Sequence, residues 1–363
     1  MTPTSDDGAE AAVLARIERA SRRPREFRDE RITAAHGAGG RASQELLERL
    51  LLPALGAEPD FPLADAATLS IDGVALAFTT DSFVVRPLRF PGGSIGELAV
   101  NGTVNDLAMV GAQPVALTLS LVLEEGLASE LLAAEVAAAA RAAAAAGVRI
   151  VAGDTKVVER GAADGMYICT AGVGRIDPRA RLAPGAALPG DRLVVSGPLA
   201  EHGVAVMLAR GEFELGADVR SDTRALWPAV SALLDACPSG LRSLRDPTRG
   251  GLASALNELA AASGTAMVVA EEEIPLAPAV AGACELLGID PLYVACEGRL
   301  LAIVAASDAD AAVAALRGVR GCEGAAQIGV VEARPPGMAL VQTAFGSRRV
   351  LDMLVGDPLP RIC

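Results

Sequence analysis

Residues 177–191 read DPRARLAPGAALPGD, with three prolines, two Pro-Gly steps and an aspartate at each end. A run of this kind has turn chemistry throughout and sits inside neither a helix nor a strand. On both sides of it, strand-like runs alternate with helix-like ones. The pattern predicts an α/β protein of two similar-sized domains joined by this linker. A chain of 363 residues can give each domain its own core. We place an N-terminal extension at 1–30, a first domain at 31–180, a second at 181–345 and a C-terminal tail at 346–363.

In the first half, SQELLERLLLPAL (43–55) has apolar residues at helical spacing behind a serine and predicts a helix. TLSIDGVALAFTTDSFVV (68–85) reads as two strands around an Asp72-Gly73 turn, a strong hairpin signal. GELAVNGTVNDLAMVGAQP (96–114) reads as a helix closing at Gly111, with Pro114 beyond it and a strand at 116–123. An alanine-rich helix then runs to Gly147. VRIVAGDTKVV (148–158) reads as a buried strand running into a loop, and GMYICTAGVGRI (165–176) as another strand. In the second half, strands are expected at 192–199, 265–276, 299–307 and 338–343, and helices at 201–211, 309–316 and within 246–264.

Composition removes several classes of function. Hydrophobic residues make up 51% of the chain and charged residues 21%, a globular balance. Aromatics are only 3%, so the cores must be built from Ala, Val and Leu. The net charge of −13 argues against binding to a phosphate backbone, so no nucleic-acid partner is expected. The longest small-apolar stretch, LLAAEVAAAARAAAAAGV (131–148), is interrupted by Glu135 and Arg141 and predicts a soluble helix with no membrane association. The opening MTPTSDDGAE is acidic, with no apolar run behind it, which speaks against a signal peptide and for a cytoplasmic location. Residues 1–29 are polar and read as a loosely attached, flexible extension.

The six cysteines form no C-x-x-C pair, and there are two histidines, His36 and His202. A zinc site or a disulfide framework is therefore not expected. Five of the cysteines fit a reduced core. Cys363 does not, because a last residue is a poor place for a buried structural thiol and a good place for one that travels. Of 32 basic side chains, Lys156 is the single lysine. That bias points to a site where a compact ammonium is needed and a planar guanidinium is not.

Four aspartates share a setting. Asp81 follows AFTT, Asp106 sits inside NGTVNDLA, Asp154 follows RIVAG, and Asp246 begins DPTRGG. Three of them stand where a strand or loop meets the next element, where α/β folds gather ligand groups. Carboxylates are the usual protein ligands of Mg²⁺, which commonly accompanies nucleotide phosphates. A helix cap or turn is the plain alternative for any one of them, Asp246 above all. HGAGGR (36–41) and DPTRGG (246–251) are glycine-rich stretches ahead of helices, whose bare N–H groups attract phosphate oxygens; neither matches a Walker-type loop. Asn101 and Asn105 lie four apart on one helical face, placed to point at a common ligand or to stand exposed. Glu297, after the apolar run of PLYVACEGRLL, is a candidate general base or a surface-turn glutamate.

Together, HGAGGR, TTDSFVVRPLRFPGGSIGELAVNGTVNDLAMVGAQP, VAGDTKVV, DPTRGGLA, DPLYVACEG and the terminal PRIC resemble the HypE family of hydrogenase-maturation carbamoyl dehydratases. That family lies within the aminoimidazole ribonucleotide synthetase-like superfamily. The likeness runs from about Arg31 to Cys363 and leaves out only the extension. It implies a two-domain fold with a mobile C-terminal tail, a homodimer formed through the first domain, and ATP bound without a P-loop. It also implies an activity: ATP-dependent dehydration of an S-carboxamide on Cys363 to an S-cyanide, the source of cyanide ligands for [NiFe]-hydrogenase. A HypF-like carbamoyltransferase would load the cysteine, and a HypC–HypD-like iron scaffold would receive the cyanide.

The same resemblance assigns roles. Cys363, Glu297 and Lys156 are the expected catalytic residues, as carrier thiol, base and phosphoryl-stabilising cation. Nucleotide contacts are expected from Asp81, Asn101, Asn105, Asp106, Asp154, Thr155, Asp246, Arg249 and Gly250. Mg²⁺ is expected on Asp81, Asp106, Asp154 and Asp246. Pro358 and Pro360 are expected to stiffen the tail into an extended rod. One position departs from the family pattern: Cys296 in ACEG stands where the family has asparagine. If that asparagine contacts the carboxamide, its polar contact is lost here. Other ATP-using members of the superfamily, and a non-catalytic thiol carrier, are the competing readings. The former do not need a terminal cysteine, and the latter does not need the Asp, Asn and Lys set.

Overall fold

The structure, a computed structural model, describes residues 27–57, 63–211, 218–356 and 361–363. Most of the expected extension, together with Pro358 and Pro360, lies outside the described residues.

The first helix, α1 (Arg41–Leu46), continues through a π-helical turn (Leu47–Leu51) to Leu52–Ala54. A five-stranded sheet follows. Its strands are β1 (Ala67–Ile71), β2 (Val74–Phe83), β5 (Ala112–Glu124), β6 (Arg149–Val158) and β7 (Met166–Ile176), in the order β1-β2-β7-β5-β6. Only β5 and β6 run parallel. The hairpin turn has both Asp72 (φ 50°) and Gly73 (φ 81°) in the left-handed region, as a two-residue turn matched to strand twist requires. A small ribbon, β3 (Arg89–Phe90) with β4 (Gly93–Ser94), leads into α2 (Ile95–Met109). Pro114, expected beyond the helix, lies inside β5, where the pairing with β7 shifts register.

Helices α2 and α3 (Ser129–Ala146) cover one face of this sheet. Gly147 closes α3 at φ 70°. The opposite face is open: Phe78 is 47% exposed and Val115 52%. The expectation that 148–158 is buried holds for Val148 and fails from Arg149 on. Every residue of β6 is exposed except the half-buried Val158. The cause is sheet order, since β6 is an edge strand and the alanine stripe of α3 packs chiefly against α2. The strand also runs on through Val158, so Asp154, Thr155 and Lys156 stand on it and not in a loop.

The second domain holds a seven-stranded sheet in the order β14-β13-β10-β12-β8-β11-β9. Its strands are β8 (Arg192–Val195), β9 (Leu241–Arg245), β10 (Ala266–Ala270), β11 (Leu301–Val304), β12 (Ala326–Glu332), β13 (Met338–Gln342) and β14 (Arg348–Val350). The helices are α4 (Glu201–Ala209), α5 (Trp227–Ala236), α6 (Gly251–Ser263), α7 (Pro278–Leu287) and α8 (Ala309–Arg317). On one sheet face α6 closes a core of Leu252, Leu256, Leu301 and Ile303. On the other, α5 and α8 close a second core, which Ala108 and Met109 of α2 enter from the first domain. A third cluster joins Phe83, Phe90 and Ile95 to Val206, Ala295 and Ile362. The domains are thus packed along α2, and the end of the chain is part of that packing.

Candidate active site

A cavity of about 260 Å³ lies between the β2–α2 layer and the loop ahead of α6. Each wall follows from local structure. On β2, Thr79, Asp81 and Phe83 share the face that meets α2. Close approach there needs Gly102: a Cβ on it would stand 2.8 Å from the Phe83 ring and 3.8 Å from an Asp81 carboxylate oxygen. Asp106 comes from α2, one turn further on. Asp65 precedes β1, Asp246 follows β9, and Glu297 lies on the loop before β11. Cys363 closes the cavity wall, and the same residue lines a second, more apolar hollow with Val84, Tyr293 and Ile362.

The two glycine-rich segments form the rim by touching each other. Gly39, at φ 74°, lies so near the next loop that a Cβ would stand 2.6 Å from the Arg249 carbonyl oxygen. The Ser254 hydroxyl donates to the Gly39 carbonyl at 2.9 Å. Here glycine serves close backbone approach as well as turn formation.

The cavity concentrates negative charge. Carboxylate oxygens of Asp65, Asp106 and Asp246 all lie within 4.8 Å of one another. Burial first, then the charge of Asp246, pushes the Asp106 carboxyl well above the usual range. Burial and then Asp65 do the same to Asp246. Burial also raises Asp81, with Arg249 pulling the other way. Glu297 is lifted well up by burial and then by Asp246, and its Oε1 is buried with no hydrogen-bond partner. Positive charge is supplied by Arg245, 3.2 Å from Asp65, and by Arg249, whose proton is held most strongly by negative charge at Cys363. Crowded buried carboxylates that oppose one another's ionisation are the donor set a hard divalent cation relieves.

The remaining expected residues are distributed as follows. Asp81, Asp106, Asp246, Arg249, Glu297 and Cys363 line this one cavity. Gly250 lines the second hollow and not this cavity, and its left-handed φ of 78° leads the chain into α6. Asn101 and Asn105 are buried against the second domain, and neither stands exposed. The Asn101 amide donates to Thr223 Oγ1 at 3.2 Å. The Asn105 amide donates to the carbonyls of Arg224 and Glu297, and its oxygen accepts the Leu226 N–H at 2.8 Å. Asn105 thus spends its polar atoms on protein and anchors the loop that bears Glu297.

Asp154, Thr155 and Lys156 lie outside the cavity, on the exposed β6. Lys156 Nζ stands 2.5 Å from Asp154, which lowers that carboxyl. Cys296 faces the interior: its Sγ accepts the Ala200 N–H at 3.1 Å, and it does not line the cavity. The residue that departs from the family pattern is therefore no part of the cavity wall.

Asp65 and Asp222 were not anticipated. Asp65 sits in PLADAAT, which carries no motif. Asp222 is buried and accepts the Glu297 backbone N–H at 2.9 Å, so it fixes the base from behind. The tail, expected to be mobile, is docked over 361–363. Val84 N–H donates to a terminal carboxylate oxygen of Cys363 at 3.0 Å, and Arg86 N–H to the Arg361 carbonyl at 3.2 Å. Ile362 is 3% exposed.

The architecture belongs to a known class. Residues 63–176 match the family described as AIR synthase related protein, N-terminal domain, and 189–341 match its C-terminal domain. Within that class, the chain is 50% identical over 340 residues to the carbamoyl dehydratase HypE of Rhodobacter capsulatus, covering 93% of this chain and 99% of that one. It superposes on the HypE chain of a HypE–HypF complex with a TM-score of 0.80 at 39% identity, covering 85% of this chain and 99% of that one. On HypE in complex with ATP the TM-score is 0.76 at 43% identity, covering 92% and 100%. The chain belongs to the HypE carbamoyl dehydratase family.

Proposed function

We propose that this protein converts an S-carboxamide on Cys363 into an S-cyanide at the expense of ATP, supplying cyanide for the iron of [NiFe]-hydrogenase. The observation that carries the reading is the seat of Cys363, in one cavity with a buried, partnerless Glu297 carboxyl, an acidic cluster and Arg249. Solved relatives of this chain include one bound to ATP and one bound to HypF. A HypF-like carbamoyltransferase is accordingly the proposed donor of the carbamoyl group, and a HypC–HypD-like scaffold the acceptor of the cyanide.

The chemistry fits these side chains. An amide oxygen leaves poorly as hydroxide and well as phosphate. Attack of the carboxamide oxygen on the γ-phosphorus of ATP forms the O–P bond and releases ADP. One nitrogen proton departs as the C=N bond forms. Loss of the second expels phosphate and leaves S–C≡N. The sum is S-carboxamide plus ATP giving S-cyanide, ADP, phosphate and a proton. Glu297 takes nitrogen protons; a carboxyl raised toward neutrality by burial is a stronger base than an exposed one. Asp222 and Asn105 hold its backbone while this occurs. Arg249 and Arg245 offset charge on the transferring phosphoryl. Asp65, Asp106 and Asp246, with Asp81 beside them, fit Mg²⁺, which would neutralise the polyphosphate there.

The proposed assembly is a homodimer. The first-domain sheet leaves Val151 and Val157 on edge strand β6 exposed, with Leu69, Val74 and Phe78 on the far strands. An open apolar face and an unpaired edge are what a second copy covers. In that arrangement β6 brings Asp154, Thr155 and Lys156 to the other copy's nucleotide, which explains why they lie outside their own cavity. Mixing Lys156→Ala with Cys363→Ala subunits should restore part of the activity each lacks; no restoration would refute a shared site.

Among the described residues no helix is long and apolar enough to cross a membrane. A reduced carrier thiol and ATP both suit the reducing cytoplasm, which is the proposed location. The decisive experiment is mass spectrometry of the C-terminal peptide after incubation with carbamoyl phosphate, ATP and the transferase. Loss of one water from the loaded Cys363 is the expected result, and a stable carboxamide would exclude the dehydratase reading.

A further inference from the structure

We infer that His202 is a positioning residue for the dehydration step, tying the docked tail to the segment that also fixes Glu297. The inference rests on the function proposed above and adds one residue to its site.

His202 lies in the first turn of α4 and is fully buried. Its Nδ1 is 2.8 Å from Ser221 Oγ. That oxygen already accepts the Thr223 N–H at 3.1 Å, so the serine hydroxyl proton is available to Nδ1. The network therefore assigns the ring proton to Nε2. Nε2 stands 3.0 Å from the Ile362 carbonyl and donates to it. Phe90 packs edge-on against the ring with centroids 5.3 Å apart, which restrains it from turning. Burial holds the imidazole neutral, its pKa lowered to about 4.

Other groups also grip the tail. The Arg361 side chain pairs with Asp164 and lies over the Tyr167 ring at 5.9 Å. The Ile362 side chain sits among Phe90 and Ile95. Val206 and Ala295 of the second domain pack in the same cluster, and Arg210, just past α4, donates to the Arg361 carbonyl at 3.1 Å. His202 adds a different link. Its partner Ser221 is the chain neighbour of Asp222, and Asp222 accepts the Glu297 N–H. One short segment thus sets both where the thiol stops and where the base stands. Without the donor, the Ile362 carbonyl is buried with one partner fewer, and the docked state weakens relative to the undocked one.

His202→Phe keeps an aromatic ring and removes the donor, whereas His202→Gln keeps a donor of similar reach. Full-length protein, loaded with the carbamoyl group by the transferase, is mixed with ATP and Mg²⁺ and followed by mass of the C-terminal peptide. Loading of His202→Phe should match or exceed wild type, while its single-turnover conversion falls about tenfold, with most of the loss recovered in His202→Gln. In unloaded protein without ATP, iodoacetamide should alkylate the Cys363 thiol several-fold faster in His202→Phe, since the docked thiol is shielded. Unchanged conversion and unchanged alkylation in His202→Phe would overturn the inference. If that variant does not fold, Ser221→Ala, which frees the ring to adopt the other tautomer, should show the same two changes, and their absence there is equally fatal. Should wild type itself fail to convert, the dehydratase reading falls, and the alkylation rates alone still decide whether His202 latches the tail.

Discussion

The cavity and strand β6 both carry aspartates of the same expected kind, and the fold treats them in opposite ways. Asp106 and Asp246 are packed together, and burial with neighbouring carboxylates raises both, Asp246 acting on Asp106 and Asp65 on Asp246. Asp154 lies in solvent with Lys156 beside it and is lowered. The first arrangement is electrostatically unfinished and calls for a cation. The second is complete within its own strand, and the proposed dimer would give it a further role. Burial and company, more than residue type, separate a binding group from a bystander.

The sharpest way to break this contrast is at the base. Glu297→Gln should slow conversion by about a thousandfold and leave loaded S-carboxamide to accumulate, seen by peptide mass. S-cyanide forming at the wild-type rate would remove Glu297 from the mechanism. Next in size is Asp106→Asn, which should weaken ATP binding measured with Mg²⁺ by roughly tenfold or more. The same change should stabilise the protein in the absence of Mg²⁺, because it deletes a repelled charge; a lowered melting temperature in EDTA would contradict the unfinished character of the cluster.

On the other side of the comparison, Lys156→Arg should cut turnover about tenfold with nucleotide affinity almost unaltered. Equal losses in both would make β6 a binding element only. The smallest effect concerns pH. Asp106, Asp246 and Glu297 hold protons more tightly folded than unfolded. Above the ordinary carboxylate range near pH ~4, the folded state therefore carries protons that the unfolded chain has lost. Stability then declines as pH climbs through the raised values. Mg²⁺ cancels the repulsion, so its stabilisation should grow from little at pH ~5 to on the order of 1–2 kcal/mol at pH ~8. Thermal shift with and without Mg²⁺ measures it, and a pH-independent gain would argue against a cation among these carboxyls.

Much of this was legible from local chemistry. The Asp72-Gly73 turn and the Gly147 stop depend on left-handed backbone that few residues tolerate, so short sequence suffices. Asp81, Asp106 and Asp246 stand at element junctions, and a resemblance across the chain joined them. Other features follow only from assembled topology. The exposure of β6 depends on where four other strands fall, and its valines look the same in a core. Helices α5 and α7 and strands β9, β12 and β14 were not anticipated, because short apolar runs fit either period. Asp65 has no local mark; it matters because β2 and β9 converge beside it. Asn105 was read as a ligand group, but helical spacing does not say which domain lies opposite.

One property of β6 has a practical side. Lys156 is the sole lysine in the chain, and its side chain is 68% exposed. Reagents that acylate side-chain amines therefore have a single address, on the strand proposed to meet a second subunit. A bifunctional amine linker joining two lysines must join two copies, and a dye placed there reports subunit association without any engineered site.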